Sequence, residues 1–251
     1  MKRGEAGRLR GRDFRRTNVG MQLLAALLSF ASLAAQPPAP EALLAEMRAA
    51  CGGDAWDRVE GWHETGRVDL PGLPGVPYET WHHMRTLTMR SDSRVDGRIM
   101  RQMGYDGSVG WQVGPDGQVR VNGDPVALRR MRRDAYLSSF AWFYPSRFPA
   151  RFALAGVESR QGRTFDVLRI EPEQADSFDL WVDRGTHRVA RIVAGAEYAE
   201  LGDYRDFAGV CSATTGRQGD GDPTHEIVLH VETVATGPVE AALFSPPTAP
   251  R

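Results

Sequence analysis

Apolar and polar positions follow three successive rhythms along this chain. The first is an almost continuous run of apolar and small residues from Met21 to Ala35, behind a basic stretch that ends in Arg15-Arg16. The run is shorter than the roughly 20 residues that span a bilayer core. A charged start, an apolar middle and a small-residue end make residues 1–35 a secretory signal peptide, cleaved after Ala34 or Ala35. No Cys follows the run directly, so a lipid anchor is not expected. Thr17-Asn18 stand where twin-arginine export needs an apolar pair. Residues 36–40, with Pro37-Pro38-Ala39-Pro40, read as a stiff linker, 41–247 as one domain and 248–251 as a tail.

The second rhythm is helical. Leu43, Leu44 and Met47 form one stripe of a short helix over Glu41–Ala50, ended by Gly52-Gly53. A longer helix opens at Asp124, a good N-cap, with Pro125 as first helical residue. The pattern carries it from Val126 to Trp142, with Leu128, Met131, Ala135 and Trp142 on one face and Tyr136, Phe140 and Phe143 beside them.

The third rhythm, alternation, fills the rest. It predicts strands at Trp62–Leu70, Tyr78–Arg90, Arg98–Tyr105, Thr164–Ile170, Phe178–Asp183, Arg188–Val193, Glu200–Phe207 and Glu226–Val234. Trp111–Val113 and Gln118–Val121 flank the turn Gly114-Pro115-Asp116-Gly117 as a hairpin. Pro71–Pro77 reads as a strand-breaking loop and Gly216–Pro223 as a polar one. Many strands in succession with one or two helices predict an α+β, mainly β fold, an antiparallel sheet, curved or partly closed, with helices on one face.

Charge narrows the partners. Seven of the 31 basic and two of the 32 acidic residues lie in residues 1–35, so 24 and 30 remain, a net of −6. Nucleic acid is therefore not an expected partner. Lys2 is the one lysine, so the exported chain has no Schiff-base lysine, Ser–Lys dyad or P-loop lysine. Export permits a disulfide between Cys51 and Cys211; two unrelated small core residues are the alternative.

The catalytic templates fail one by one. His225–His230 resembles the zinc motif H-E-x-x-H with one residue too many, on a segment that reads as a strand. His82 and His83 point to opposite faces of a strand; a site shared with His63 is the alternative to polar residues on a sheet surface. Asp106-Gly107-Ser108-Val109-Gly110 has Asp106 where G-x-S-x-G needs glycine. Asp-Thr-Gly and Asp-Ser-Gly are absent. No enzyme activity, cofactor or metal is expected. Two other features suit an apolar partner. Leu73 and Val76 stand in the Pro71–Pro77 segment, either as an apolar tip for a lipid or a protein partner, or tucked into the core. Arg129-Arg130-Met131-Arg132-Arg133 suits anionic head groups or a solvated helix face.

Four motifs in order then suggest a family: Tyr105–Trp111; Leu180-Trp181-Val182-Asp183 with Arg188 and Arg191; Tyr204–Val210; and Phe244-Ser245-Pro246-Pro247. Together they resemble the superfamily of periplasmic lipoprotein carriers and outer-membrane lipoprotein receptors (LolA/LolB-like), in an outlying exported form. Similar domains also occur ahead of retropepsin-like proteases, whose activity is not carried over. The resemblance implies an antiparallel sheet curled into an incomplete barrel, with one or two helices as a lid over an apolar cavity. It implies a periplasmic binding or chaperone-like module for a lipid, a lipoprotein acyl chain or another apolar ligand, not membrane-spanning, with an envelope protein as a further partner. A cell-envelope interaction protein with a filled core is one alternative; an accessory domain or small metal-dependent hydrolase is another. No binding residue transfers from the family. From the helix pattern itself, Leu128, Met131, Phe140 and Trp142 are expected to lid the cavity, with Trp81 and Trp111 lining it below.

N-terminal sequencing of the protein from the envelope of its host should find a chain beginning at Ala35 or Gln36; material that begins at Met1 would refute the signal peptide.

Overall fold

The structure, a computed structural model, describes residues 39–247. The expected signal peptide, most of the linker and the tail lie outside the described residues. Helix α1 (Pro40–Ala50) and a 3-10 turn (Gly53–Arg58) lead into β1 (Gly61–Leu70), β2 (Leu73–His83), β3 (Thr88–Val95), β4 (Arg98–Tyr105), β5 (Gly110–Val113) and β6 (Val119–Asn122). Helix α2 (Pro125–Ser138) and a second 3-10 turn (Ala141–Phe143) separate these from β7 (Ala150–Arg160), β8 (Arg163–Pro172), β9 (Phe178–Asp183), β10 (Val189–Ala194) and β11 (Glu197–Gly202). A short ribbon, β12 (Arg205–Phe207) and β13 (Val210–Ser212), precedes β14 (Thr215–Gly219) and β15 (Ile227–Ala235), and a 3-10 turn (Ala241–Phe244) follows.

Thirteen of these strands form one antiparallel sheet in the order β6-β5-β4-β3-β2-β1-β15-β14-β11-β10-β9-β8-β7. Its edges, β6 and β7, do not pair with each other, so the sheet stays an incomplete barrel. Two meanders meet where β1 pairs with β15, in register from His63↔Ala235 to Asp69↔Val228. Bulges at Thr65/Gly66, Ser93/Arg94 and Leu154/Gly156 interrupt the ladders; such insertions bend a sheet and increase its twist.

The main core lies between the sheet and its helical cover. Leu43 and Met47 of α1, with Trp56, Trp142 and Phe143, belong to one buried cluster with Leu168, Ile170, Phe178, Leu180 and Val182 of β8 and β9. α2 starts as its sequence predicts: the Asp124 carboxylate accepts from Ala127 N at 2.9 Å, with Pro125 at the first helical position.

Several element boundaries differ from the sequence expectation. β2 begins at Leu73 and runs through both Pro74 and Pro77. There it pairs with β1 alone, since β3 joins only from Tyr78, and an edge position tolerates proline. The long strand expected over Tyr78–Arg90 is two strands, separated by a turn with Leu87 at φ 50°. The expected polar loop at Gly216–Pro223 overlaps β14, whose Gly216 and Gln218 pair with Leu229 and Ile227. β7 carries too little alternation to be seen in sequence, because most of this edge strand is exposed. α2 ends at Ser138 rather than Trp142. Phe140 is left-handed (φ 47°, ψ 38°), and this turns Ala141–Phe143 off the helix axis and into the core.

Cys51, at the C-terminal end of α1, is bridged to Cys211 of β13, with Cα atoms 4.7 Å apart. Cys211 N also donates to Cys51 O at 3.1 Å. The bridge spans a sequence separation of 160; chain entropy assigns such a loop about 5 kcal/mol. The Cys51→Ser, Cys211→Ser double variant should therefore unfold at markedly lower denaturant. Two reactive thiols in unreduced, denatured wild type would show that the bond does not form.

Candidate ligand cavity

The pleat decides which side chains can meet a ligand. On β1–β3 the residues Trp62, Glu64, Tyr78, Thr80, His82, Met89 and Ser91 share the concave face, and all seven line a cavity of about 720 Å³. The wall continues from β1 through Ile227, Leu229 and Val231 of the adjoining β15 to Leu201 of β11 and Ile192 of β10. Above lie Arg133, Asp134, Leu137 and Ser138, one face of α2, followed by Phe140, Trp142 and Phe143. Phe140 packs between Trp56 and Trp62, with ring centroids 4.8 and 5.4 Å away.

The walls are largely apolar, but the β1–β3 side is polar at its centre. The Glu64 carboxylate accepts from Tyr78 Oη at 2.7 Å and from Trp62 Nε1 at 3.2 Å. Burial raises its pKa above the ordinary carboxylate value, against the lowering effect of those two donors. Its partial accessible surface faces the cavity, which reconciles moderate exposure with strong desolvation. The Tyr78 hydroxyl is also raised, first by burial and then by the neighbouring carboxylate. His82, 8% exposed, is pushed down to about 4 by burial alone. Its Nδ1 and the Thr80 Oγ1 have no hydrogen-bond partner within the protein.

The arginine run of α2 fastens the lid. Arg130 Nη2 and Arg133 Nη2 meet the two oxygens of Glu197 on β11 at 2.6 and 2.8 Å. Arg129 pairs with Asp176 at 2.9 Å and donates to Ala175 O at 3.1 Å, and Arg132 donates to Gln174. Each of the four arginines thus has a protein partner, with Arg129 and Arg130 still exposed. Inside these contacts, Leu128 and Met131 pack with Met89, Tyr105 and Ala135. A Cβ on Gly110 would run into Met131 Sδ, so glycine lets the helix lie close to β5.

With this geometry in view, solved structures supply a comparison. A LolA superfamily protein from Nitrosomonas europaea superposes with a TM-score of 0.54 at 11% identity, covering 83% of this chain and 98% of its own. The fold is the one seen in LolA superfamily proteins. A DUF1329 family protein from Desulfovibrio piger gives 0.55 at 14% identity, with the same coverage. A domain named for outer membrane lipoprotein sorting, from Vibrio parahaemolyticus, gives 0.50 at 11% over 78% of this chain and 91% of its own. No family model matches the chain, and no curated protein matches it in sequence.

Against that LolA-like frame, the expected site residues divide. Phe140 and Trp142 line the cavity. Leu128 and Met131 do not: they seat the lid on β3–β5. Trp81 and Trp111 face the other way. His63, Trp81, Arg90, Gly104 and Trp111 are successive cross-strand partners on the convex face. His63 stacks on Trp81 at 5.0 Å, and the Arg90 guanidinium lies 5.4 Å from Trp81 and 5.9 Å from Trp111. Trp111 is 1% exposed because its indole lies across Gly104 and donates to Phe244 O at 2.7 Å under the C-terminal turn. Val76 is buried with Val68 and Tyr78, so it cannot be a contact tip; Leu73, 40% exposed, stays at the β1–β2 hairpin end. The alternative histidine site does not assemble: His82 is on the concave face, His63 is bonded to Glu79 on the convex face that His83 shares, and among the described residues no three His, Cys, Asp or Glu side chains are grouped to hold a metal. Sequence reasoning missed Glu64, Tyr78 and Thr80, and considered His82 only for a metal site or a sheet surface. The signal was their shared parity with Trp62, hidden by the equally apolar opposite parity that holds Trp81.

His82 gives a pH test. In the unfolded chain it binds a proton below about 6.5, whereas in the folded protein it resists until about 4. Its contribution is full above pH 6.5 and is lost as pH falls towards 4, by up to about 3 kcal/mol. Urea titrations across this range should show the wild type losing stability relative to His82→Gln. Parallel pH profiles would show that His82 titrates normally.

Proposed function

We propose that this protein binds an apolar ligand, a lipid or acyl chain, between α2 and the concave face of its sheet, within the cell envelope. The carrying observation is the cavity of about 720 Å³. Small-molecule sites are concave, mostly apolar and about 300–1,000 Å³ in volume. A space of this size beneath the lid favours this reading over a filled core, the alternative from sequence. The likeness of fold to a LolA superfamily protein and to a lipoprotein-sorting domain supports the same reading. So does the export signal read from residues 1–35. Among the described residues no helix is long and apolar enough to cross a membrane.

The contribution of such a site scales with apolar area removed from water, at about 25 cal/mol per Å² before the costs of association. Leu137 is the test position, because it faces the cavity from a helix that otherwise stays seated through Leu128 and Met131. An uncharged phenylnaphthylamine dye should bind the folded wild type at one site. Leu137→Glu should weaken it by at least about tenfold in protein that still unfolds cooperatively. A folded wild type that leaves the dye unbound would sink the reading.

A further inference from the structure

The polar centre of the cavity wall limits what the ligand's head can be. Glu64 is a carboxyl group on the β1–β3 wall of a largely apolar cavity, with Trp62 and Thr80 as its concave neighbours. Trp62 Nε1 and Tyr78 Oη each give it one hydrogen bond. A carboxylate accepts about four, so part of its capacity faces the cavity. Among the described residues no Arg or His side chain hydrogen-bonds to Glu64 or pairs with it. Of the arginines that line the cavity, Arg133 is held by Asp134 and Glu197, each at 2.8 Å, Arg188 lies 5.2 Å from the Tyr204 ring, and Arg101 stands on β4; none of the three hydrogen-bonds to Glu64.

A ligand that fills this cavity removes water from Glu64. Burial already disfavours the charged form of this carboxyl; a second negative charge beside it raises that cost, whereas a donor head returns hydrogen bonds that water gave. We propose that the ligand's polar end is a hydrogen-bond donor without negative charge, such as an amide, docked on Glu64 with Thr80 and His82 beside it. An ionised fatty acid is then a poor ligand in this orientation. This inference rests on the cavity being the binding site.

The test uses two probes of nearly equal shape. Dodecanamide and dodecanoate share their chain and differ at the head, one donating, the other anionic at neutral pH. Both are titrated against the bound phenylnaphthylamine dye. Dodecanamide should displace it at a concentration at least about tenfold lower, as expected for like-charge rejection. Glu64→Gln, which keeps side-chain size and removes the charge, should bring the two probes within about threefold, chiefly by improving dodecanoate. Equal or tighter binding of dodecanoate by the wild type would overturn the head-group inference and leave the apolar cavity intact. So would a gap unchanged in folded Glu64→Gln. A wild type that binds neither dye nor probe would overturn both.

Discussion

The ladder between β1 and β15 is the seam on which the architecture depends. Each meander, β1–β6 and β7–β15, is built from neighbours in sequence, and its hairpins form from local pairing. The seam alone joins the first strand to the last. It is also tightly specified. At Gly66 the backbone of β15 comes so close that a Cβ would collide with His230 O, and the bulge beside it shifts the register by one residue. Because side chains alternate, a further slip of one residue would exchange Ile227, Leu229 and Val231 on the cavity wall for Val228, His230 and Glu232. The apolar wall of the cavity therefore exists only in the observed register.

A sheet of thirteen strands that does not close leaves a concave apolar face, which the helical segments cover unevenly. At the β8–β9 end the cover is dense: α1, Trp56, Trp142 and Phe143 fill the space down to Leu168 and Leu180. At the β3–β5 end α2 rests on Met89, Met103 and Tyr105 through Leu128 and Met131. Between these supports lies the cavity, which Leu137 of the helix lines together with Glu64, Thr80 and Leu229 of the sheet. The left-handed Phe140 produces the division, since it ends the helix and sends the next aromatic residues to the dense side. The exposed pairs Arg129–Asp176 and Arg130–Glu197 add little energy each. Arg133, 8% exposed and bonded to both Asp134 and Glu197, is the costly one to break, because either loss leaves a charge half out of water.

The sequence made the fold class readable and the cavity face unreadable for one physical reason. Alternation marks a strand but does not say which phase points inward when both faces carry apolar or aromatic residues. In Tyr78–His83 the bulk of Trp81 suggested the inner phase, yet Trp81 belongs to a convex row of His63, Arg90 and Trp111 capped by Phe244. That row is held by stacking and cation–π geometry, which requires cross-strand register that no single segment contains. Helix α2 was legible at its start because Asp124 and Pro125 act locally. Its end was not, because the left-handed Phe140 packs against Trp56 and Trp62 from distant segments. β14 was missed for a related reason: its glycines and polar residues make a strand only by pairing with β11 and β15.

The same row also explains why Glu64 sits where it does. With the convex phase occupied by His63, Trp81 and Arg90, the concave phase of β1 and β2 is left with Trp62, Glu64, Tyr78, Thr80 and His82. Trp62 and Tyr78 each have one polar atom on an apolar body, and both polar atoms turn to Glu64. An apolar residue at position 64 would leave those two donors without their partner, which costs more than a hydrogen bond contributes when made. The carboxyl, its donors and their strand phase thus form one unit, and the polarity of this wall follows from the same register that gives β15 its apolar one.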